Sequence, residues 1–135
     1  LDISYPYRGR DVDTDALFEA IHETDRPLYI THAFHPTVLE GWPSEPFGTL
    51  IRVRPKGTRP RNPVELFRTN RRLFQNFDIS TSPDAPPDSW ARFVLEEYAS
   101  TWRSIAGALR QVGRGELAAE AERYANRFAP WDRPR

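Results

Sequence analysis

The fold of this chain is decided near its carboxyl end, where residues 88–130 read DSWARFVLEEYASTWRSIAGALRQVGRGELAAEAERYANRFAP. Apolar side chains recur there every three or four positions on both sides of a Gly113-Arg114-Gly115 turn, which predicts two helices. The short turn makes these helices antiparallel neighbours, packed as scaffold rather than arranged for catalysis. The expected buried stripes comprise Trp90, Val94, Tyr98, Trp102, Ile105, Leu109 and Val112 on the first helix, and Leu117, Ala121, Tyr124 and Phe128 on the second.

The patterns upstream of this hairpin are shorter. Asp13 or Thr14 can cap a helix that ends near Thr24, and Asn62 followed by Pro63 opens another that runs to Phe74. Three prolines within residues 34–48 predict a loop there, with one helical turn around residues 37–41. Apolar alternation or richness in β-formers predicts three strands, at residues 1–5, 27–32 and 49–54.

These patterns together predict an α+β fold. A small two- to three-stranded sheet with flanking helices is followed by a C-terminal antiparallel helical hairpin. Residues 1–77 form the α/β unit, residues 78–87 a proline-rich connector, and residues 88–135 the hairpin, all packed as one domain. The length of 135 residues suits such a domain, which buries roughly two-thirds of the surface of its unfolded chain.

Composition excludes several classes of chemistry. Basic and acidic side chains balance at 19 each, so we expect no nucleic-acid partner, while the zero net charge permits homo-oligomers. The lack of cysteine excludes disulfides, thiolate nucleophiles and cysteine-based zinc sites. No apolar run reaches the roughly 20 residues that span a bilayer. Because glycine-rich phosphate loops and hydrolase motifs are also absent, we predict no catalytic residue and no cofactor for this stretch of chain.

Two histidines form the single metal-site pattern in the sequence. His32 and His35 stand at the end of a predicted strand, with His22, Glu40 and Glu45 nearby in sequence. A hydrolytic zinc site needs about three nitrogen or oxygen ligands, so a small metal-dependent enzyme is one alternative function. A spacing of three in a strand does not guarantee a shared face, however. We therefore favour locally hydrogen-bonded histidines without a metal, and contact with another ligand stays open.

A basic segment from Arg52 to Arg72 contains eight basic residues and one acid. Seven of the eight are arginines, whose planar guanidinium groups bind carboxylates and phosphates through paired hydrogen bonds. Arg52 and Arg54 share one face of the predicted strand at 49–54. We expect the segment to be solvated or to pair with the acidic N-terminal helix. The alternative is an anion-binding module that uses Arg52, Arg54 and Arg61 for an anionic ligand or an acidic lipid headgroup.

The hairpin also resembles a tetratricopeptide repeat, a unit of two packed helices. The second helix departs from the repeat, because Glu122 occupies a position where an aromatic residue is expected and Tyr124 follows two places later. An ordinary helical hairpin is the other interpretation. The positions that match the large, small and terminating residues of the repeat are Trp102, Ile105, Ala106, Leu109, Ala118, Ala125 and Pro130.

A second resemblance covers most of the chain. It rests on RPLYITH at residues 26–32, EGW at residues 40–42 and EPFGTLIRV at residues 45–53. These stretches are similar to the soluble C-terminal region of bacterial multi-spanning membrane proteins of the protein O-mannosyltransferase type, which carries a tetratricopeptide-like tail. The resemblance implies a location on the extracytoplasmic (periplasmic) face of a membrane-embedded, glycosyltransferase-like parent. No residue of this chain matches the catalytic acids of that family.

The leading functional hypothesis is therefore a non-catalytic accessory or interaction domain. The lack of methionine and the start at Leu1 lead us to expect a piece of a larger reading frame. The expected partner is a polypeptide or another domain of the parent chain. We expect it to bind at the exposed side of the hairpin and at the loop that carries Trp42.

Overall fold

The computed structural model describes residues 13–31, 36–77 and 85–132, which form four helices around a three-stranded antiparallel sheet. Single 3₁₀ turns lie at Pro36–Leu39 and Pro130–Asp132. The predicted α+β class with a C-terminal helical hairpin is confirmed. In chain order the elements are α1 (Thr14–Glu23), β1 (Leu28–Ile30), β2 (Ser44–Phe47), β3 (Leu50–Val53), α2 (Pro63–Phe74), α3 (Trp90–Gln111) and α4 (Gly115–Phe128).

Side-chain caps begin the first three helices, and those of α1 and α2 are the predicted ones. The Asp13 carboxylate accepts a hydrogen bond from the Ala16 amide at the start of α1. The Asn62 side chain accepts one from the Val64 amide, and Pro63 takes the first position of α2, where its missing N–H costs no helical hydrogen bond. Ser89 caps α3 in the same way. These caps satisfy amides that have no partner within the helix itself.

The hairpin of α3 and α4 turns at Gly113, whose φ of 71° is a left-handed conformation that glycine adopts at little cost. Ala118, Ala121 and Ala125 of α4 are buried, and their small side chains let the two helices approach closely. At the centre of the interface Trp102 is fully buried, with its ring 4.6 Å from that of Tyr124. The helical periodicity thus predicts the centre of the packed face correctly.

The ends of the predicted stripe on α3 are wrong. Trp90 is 77% exposed and Val112 is 50% exposed. Trp90 is exposed because α3, with 22 residues, extends past the end of α4, which has 14. Val112 lies at the other end of α3, beside the Gly113 turn. Trp131, just beyond α4, lies under the Arg92 guanidinium at 4.5 Å and donates a hydrogen bond to Glu96. Trp90 lies more than a turn ahead of Glu96.

Helix α2 joins the hairpin in one helical core. Phe67 and Phe74 place their rings 5.7 Å and 5.3 Å from the ring of Trp102. The α/β unit and the hairpin therefore share buried residues across residues 78–87. The buried members of this core are Leu66, Phe67, Phe74, Leu95, Ala99, Trp102, Ile105, Ala106, Leu109, Ala118, Ala121, Ala125, Phe128 and Ala129.

The sheet has the order β1-β3-β2 and differs from the sequence prediction in one strand. Residues 34–48 were expected to be mostly loop, whereas Ser44–Phe47 forms β2 and pairs with β3. Pro46 is tolerated because β2 is an edge strand, where a missing N–H does not interrupt the ladder. The other two predicted strands are observed as β1 and β3. The strand predicted at residues 1–5 lies outside the described residues.

A smaller core holds α1 against the sheet. It consists of Phe18, Ile30, Trp42 and Val53. The Trp42 ring packs edge-on against Phe18, at 5.4 Å between ring centroids, and its indole N–H donates a 2.7 Å hydrogen bond to Asp15 of α1. One tryptophan thus joins the 36–43 segment, α1 and the sheet.

Buried polar groups fasten the β2–β3 turn to the helices. Asn70 of α2 is fully buried, and its side-chain oxygen accepts a 2.8 Å hydrogen bond from the Gly48 amide. Its side-chain nitrogen donates to the carbonyls of Pro46 and Leu66. The Thr101 hydroxyl of α3 donates to the Gly48 carbonyl at 3.0 Å. These bonds set the position of β2 relative to α2 and α3, which matters for the site between them.

Candidate functional site

Among the described residues, one buried acid is surrounded by three bases. Glu45 of β2 is 5% exposed. The nearest nitrogens of Arg52, Arg54 and Arg61 lie 3.9 Å, 3.6 Å and 3.7 Å from its carboxylate oxygens. Cross-strand pairing causes part of this arrangement, because Glu45 stands opposite Arg52 in the sheet and Arg54 follows two positions later on the same face. The predicted shared face of Arg52 and Arg54 is thereby confirmed.

The ion pairs of Glu45 are too long to be hydrogen bonds. Neither carboxylate oxygen accepts a hydrogen bond from any described residue, although both are buried. Buried polar atoms in folded proteins nearly always have a partner, so these two oxygens are candidate contacts for water or a ligand. The Arg61 guanidinium has a weak further contact, a 3.4 Å hydrogen bond to Thr69. Most donors of the cluster are therefore not engaged by the part of the chain that the structure describes.

The cluster opens into a pocket of about 630 Å³ between β2, the start of α2 and the end of α3. This volume is in the range of about 300–1,000 Å³ that is typical of small-molecule sites. Glu45, Arg54 and Arg61 lie on its lining, and Arg114 from the α3–α4 turn joins them. The remaining wall includes Pro43, Pro60, Val64, Leu66, Ala108 and Val112, which are apolar, and Ser44, Ser104 and Gln111, which are polar.

The charge of the pocket is positive. Its described lining carries three arginines and one glutamate, which leaves two positive charges, and Arg52 adds a third from behind Glu45. The side chains of Arg54 and Arg61 are 27% and 25% exposed, so their charges are partly removed from water. Partial burial weakens solvent screening and strengthens attraction to an anion. The arrangement can bind a carboxylate or a phosphate group.

The structure does not test the hypothesis that His32 and His35 bind a metal. His32 and His35 lie outside the described residues. Within the described ranges there is no group of three or more His, Asp or Glu side chains placed to hold a metal. Glu45, which is close to the histidines in sequence, is surrounded by guanidinium groups instead. Their positive charge would repel a metal cation at that carboxylate.

The remaining predicted contact residue, Trp42, has a clear structural role. It is 5% exposed, and His22 stacks on its ring at 5.6 Å between centroids. Lys56 lies over the same ring at 4.7 Å from its centroid. The burial of Trp42 leaves little of its surface for a partner to contact.

Lys56 of the basic segment pairs with the acidic helix α1, as expected. Arg52, Arg54 and Arg61 do not. The Lys56 ammonium lies 3.4 Å from Asp15 and 3.3 Å from Glu19 of α1. The hydrogen bond from Trp42 lowers the pKa of Asp15, desolvation opposes this, and Lys56 lowers it further. Desolvation lowers the pKa of Lys56, but the hydrogen bonds and charges of Glu19 and Asp15 outweigh it and leave the pKa raised. Arg52, Arg54 and Arg61 instead converge on Glu45.

The sequence predicts three of the five charged residues of this site. Arg52, Arg54 and Arg61 are brought together as the anion-binding alternative requires. Glu45 as their shared counter-ion and Arg114 as a fourth base were missed. Glu45 reaches the arginines because β2 pairs with β3, and Arg114 reaches the pocket because the hairpin packs beside α2. Neither contact can be predicted from the local sequence. The sequence EPFG at residues 45–48 could have indicated that Glu45 lies on a strand. A glycine at position 48, followed by the β-rich run at residues 49–53, is typical of the turn of a β-hairpin.

Comparisons with known protein families, with curated proteins and with solved structures find no match. Within the described ranges, each helix is too short or too polar to cross a lipid bilayer.

Proposed function

We propose that this chain is a binding module for an anionic ligand, with the pocket of Arg54, Arg61 and Arg114 as its site. The observation that carries the proposal is the buried carboxylate of Glu45, which draws three guanidinium groups together without engaging them in hydrogen bonds. A guanidinium group that is partly buried and already oriented loses little entropy when it binds an oxyanion. The role of Glu45 in this proposal is to position the arginines.

Titration with inorganic phosphate at low ionic strength, followed by backbone amide NMR, tests this function. We expect shifts concentrated around Ser44, Arg61 and Gln111, and an affinity that falls as sodium chloride is added. Arg61→Gln should weaken binding about tenfold, because a unit charge near 4 Å is worth about 1 kcal/mol in water and more near a protein surface. Arg68→Gln is the matched control, since Arg68 is exposed on α2 and is not part of the pocket lining. Equal weakening in both variants would refute the site.

We also propose that the module is a non-catalytic accessory part of a larger, glycosyltransferase-like membrane protein, in which it contacts a polypeptide or another domain. The resemblance of residues 26–53 supports the identity of the parent. The contact surface has its own support, because Trp90 and Phe93 stack at 5.2 Å between centroids and are 77% and 47% exposed. Exposed aromatic pairs are typical of protein interaction sites.

This second proposal is tested in the full-length parent protein. Trp90→Ala combined with Phe93→Ala should reduce sugar transfer or domain association several-fold, while thermal unfolding of the isolated chain changes little. Leu17→Ala is the control, because Leu17 is an apolar residue that is 46% exposed on α1 and does not line the anion pocket. A double variant that transfers sugar like the wild type would remove the interaction surface from the proposal.

A further inference from the structure

We propose that the pocket selects a phosphate monoester, a doubly charged head joined to a carbon body, over singly charged anions. This inference rests on the proposed anion-binding function and names its ligand class. The first argument is charge. The described lining holds Arg54, Arg61 and Arg114 against Glu45, and Arg52 stands behind that carboxylate, so a doubly charged ligand meets an excess of positive charge. A phosphate monoester is doubly charged above its second pKa of about 6, whereas a sulfate ester or a carboxylate carries one charge.

The second argument is geometry. Guanidinium groups bind phosphate oxygens through paired hydrogen bonds, and a phosphate monoester offers three terminal oxygens. Arg54 lies directly after β3, Arg61 lies in the segment before α2, and Arg114 lies in the α3–α4 turn. Donors from separate elements can contact different oxygens of one head. The contact of the Arg54 guanidinium with the Glu45 carboxylate, at 3.6 Å, is longer than a hydrogen bond.

The third argument is the size and character of the walls. A pocket of about 630 Å³ is far larger than an inorganic phosphate ion requires. Pro43, Pro60, Val64 and Ala108 give it apolar surface away from the arginines. A carbon body attached to the phosphate would cover this surface and gain hydrophobic free energy. Ser104 and Gln111 offer it polar contacts at the same wall.

The test compares phenyl phosphate, phenyl sulfate and inorganic phosphate at pH 8 by calorimetry or NMR titration. Phenyl phosphate should bind about tenfold more tightly than phenyl sulfate, because it presents one more charge to the arginines. It should also bind more tightly than inorganic phosphate, because its ring covers the apolar wall. Equal affinity for the two phenyl esters would overturn the inference and leave the anion-binding function intact. If no anion binds, the proposed function itself fails.

Arg114→Gln is the variant that tests the charge argument without endangering the fold. Arg114 is exposed and its side chain makes no capping hydrogen bond to α4. In this variant, the ratio of the affinity for phenyl phosphate to that for phenyl sulfate should fall several-fold. Arg123→Gln, on the exposed side of α4, is the control and should keep it. An unchanged preference in Arg114→Gln would contradict the charge argument.

A further arm separates the two sources of a phosphate monoester. A short blocked peptide that carries phosphoserine is titrated beside phenyl phosphate. Tighter binding of the peptide would identify a phosphorylated polypeptide as the source of the phosphate group. Tighter binding of phenyl phosphate would identify a small organic phosphate as the source. Both results support the ligand class. Binding of the unphosphorylated peptide with equal affinity would contradict it.

Discussion

At the scale of single residues, Glu45 is the acid that Arg52, Arg54 and Arg61 share. Its carboxylate is buried, and three guanidinium groups that would otherwise repel one another share it. Its oxygens accept no hydrogen bond from the described residues, so its contribution to the fold is electrostatic. The acid stabilises an arrangement of bases that would be unfavourable without an anion.

We predict that Glu45→Gln lowers the free energy of unfolding by about 1–2 kcal/mol, because the partly exposed arginines lose their common counter-ion. Added phosphate should then raise the melting temperature of the variant more than that of the wild type, since the bound anion replaces the missing charge. Urea and thermal unfolding measure both effects. Glu65→Gln, at an exposed position on α2, is the control. A Glu45 variant as stable as this control would contradict the account.

A second residue-scale prediction concerns Asn70. Replacing it with alanine removes the partners of the Gly48 amide and the Pro46 carbonyl in a buried region. The free energy of unfolding should fall by about 2–3 kcal/mol, because buried polar groups without partners carry their full desolvation cost. Urea denaturation measures the change, with Asn76→Ala as the exposed control. If both variants were equally stable, the turn would not depend on Asn70.

At the scale of elements, the hairpin and α2 form one packed unit around Trp102. We predict that Trp102→Ala lowers the free energy of unfolding by about 3–5 kcal/mol, because it leaves a cavity among Phe67, Phe74 and Tyr124. Trp90→Ala, on the overhanging first turn of the same helix, should change it by no more than about 0.5 kcal/mol. Chemical denaturation of the two variants distinguishes the core from the overhang. Similar losses in both would contradict the packing described.

The docking of α1 on the sheet should depend on pH. The pKa of Asp15 is lowered in the folded protein by its hydrogen bond with Trp42 and by Lys56. Its contribution is therefore fully present above the unfolded pKa of about 3.9 and is lost as the pH falls through the lower folded value. The stability difference between wild type and Asp15→Asn should shrink below about pH 4. Asp88→Asn, exposed before α3, is the control. A difference that stayed constant to pH 2 would exclude Asp15 as the titrating group.

At the scale of the whole molecule, local signals predicted the helices and two strands well. Asn62 and Pro63 marked the start of α2, and the three- and four-residue spacing marked α3. The missed strand β2 contains Pro46, and proline argues against a strand in any local reading. Its formation depends on an edge position and on Asn70 and Thr101, which are distant in sequence. The exposure of Trp90 was likewise missed, because it depends on the length of a different helix.

The candidate site shows the same limit. The arginine-rich segment and the shared face of Arg52 and Arg54 were readable from spacing. Position in the sequence places Glu45 near the histidines and Arg114 in a turn, and neither position indicates the cluster. Electrostatic clusters are made by tertiary proximity, which side-chain periodicity does not encode. The resemblance to a tetratricopeptide repeat and to the membrane-protein family stays a prediction.

The most direct test of the central claim is NMR of the arginine side-chain Nε–H groups during titration with phosphate. The account predicts that the resonances of Arg54, Arg61 and Arg114 move together with one dissociation constant, while that of Arg68 does not follow them. Uniform small shifts across all arginines, as from a general ion atmosphere, would contradict it.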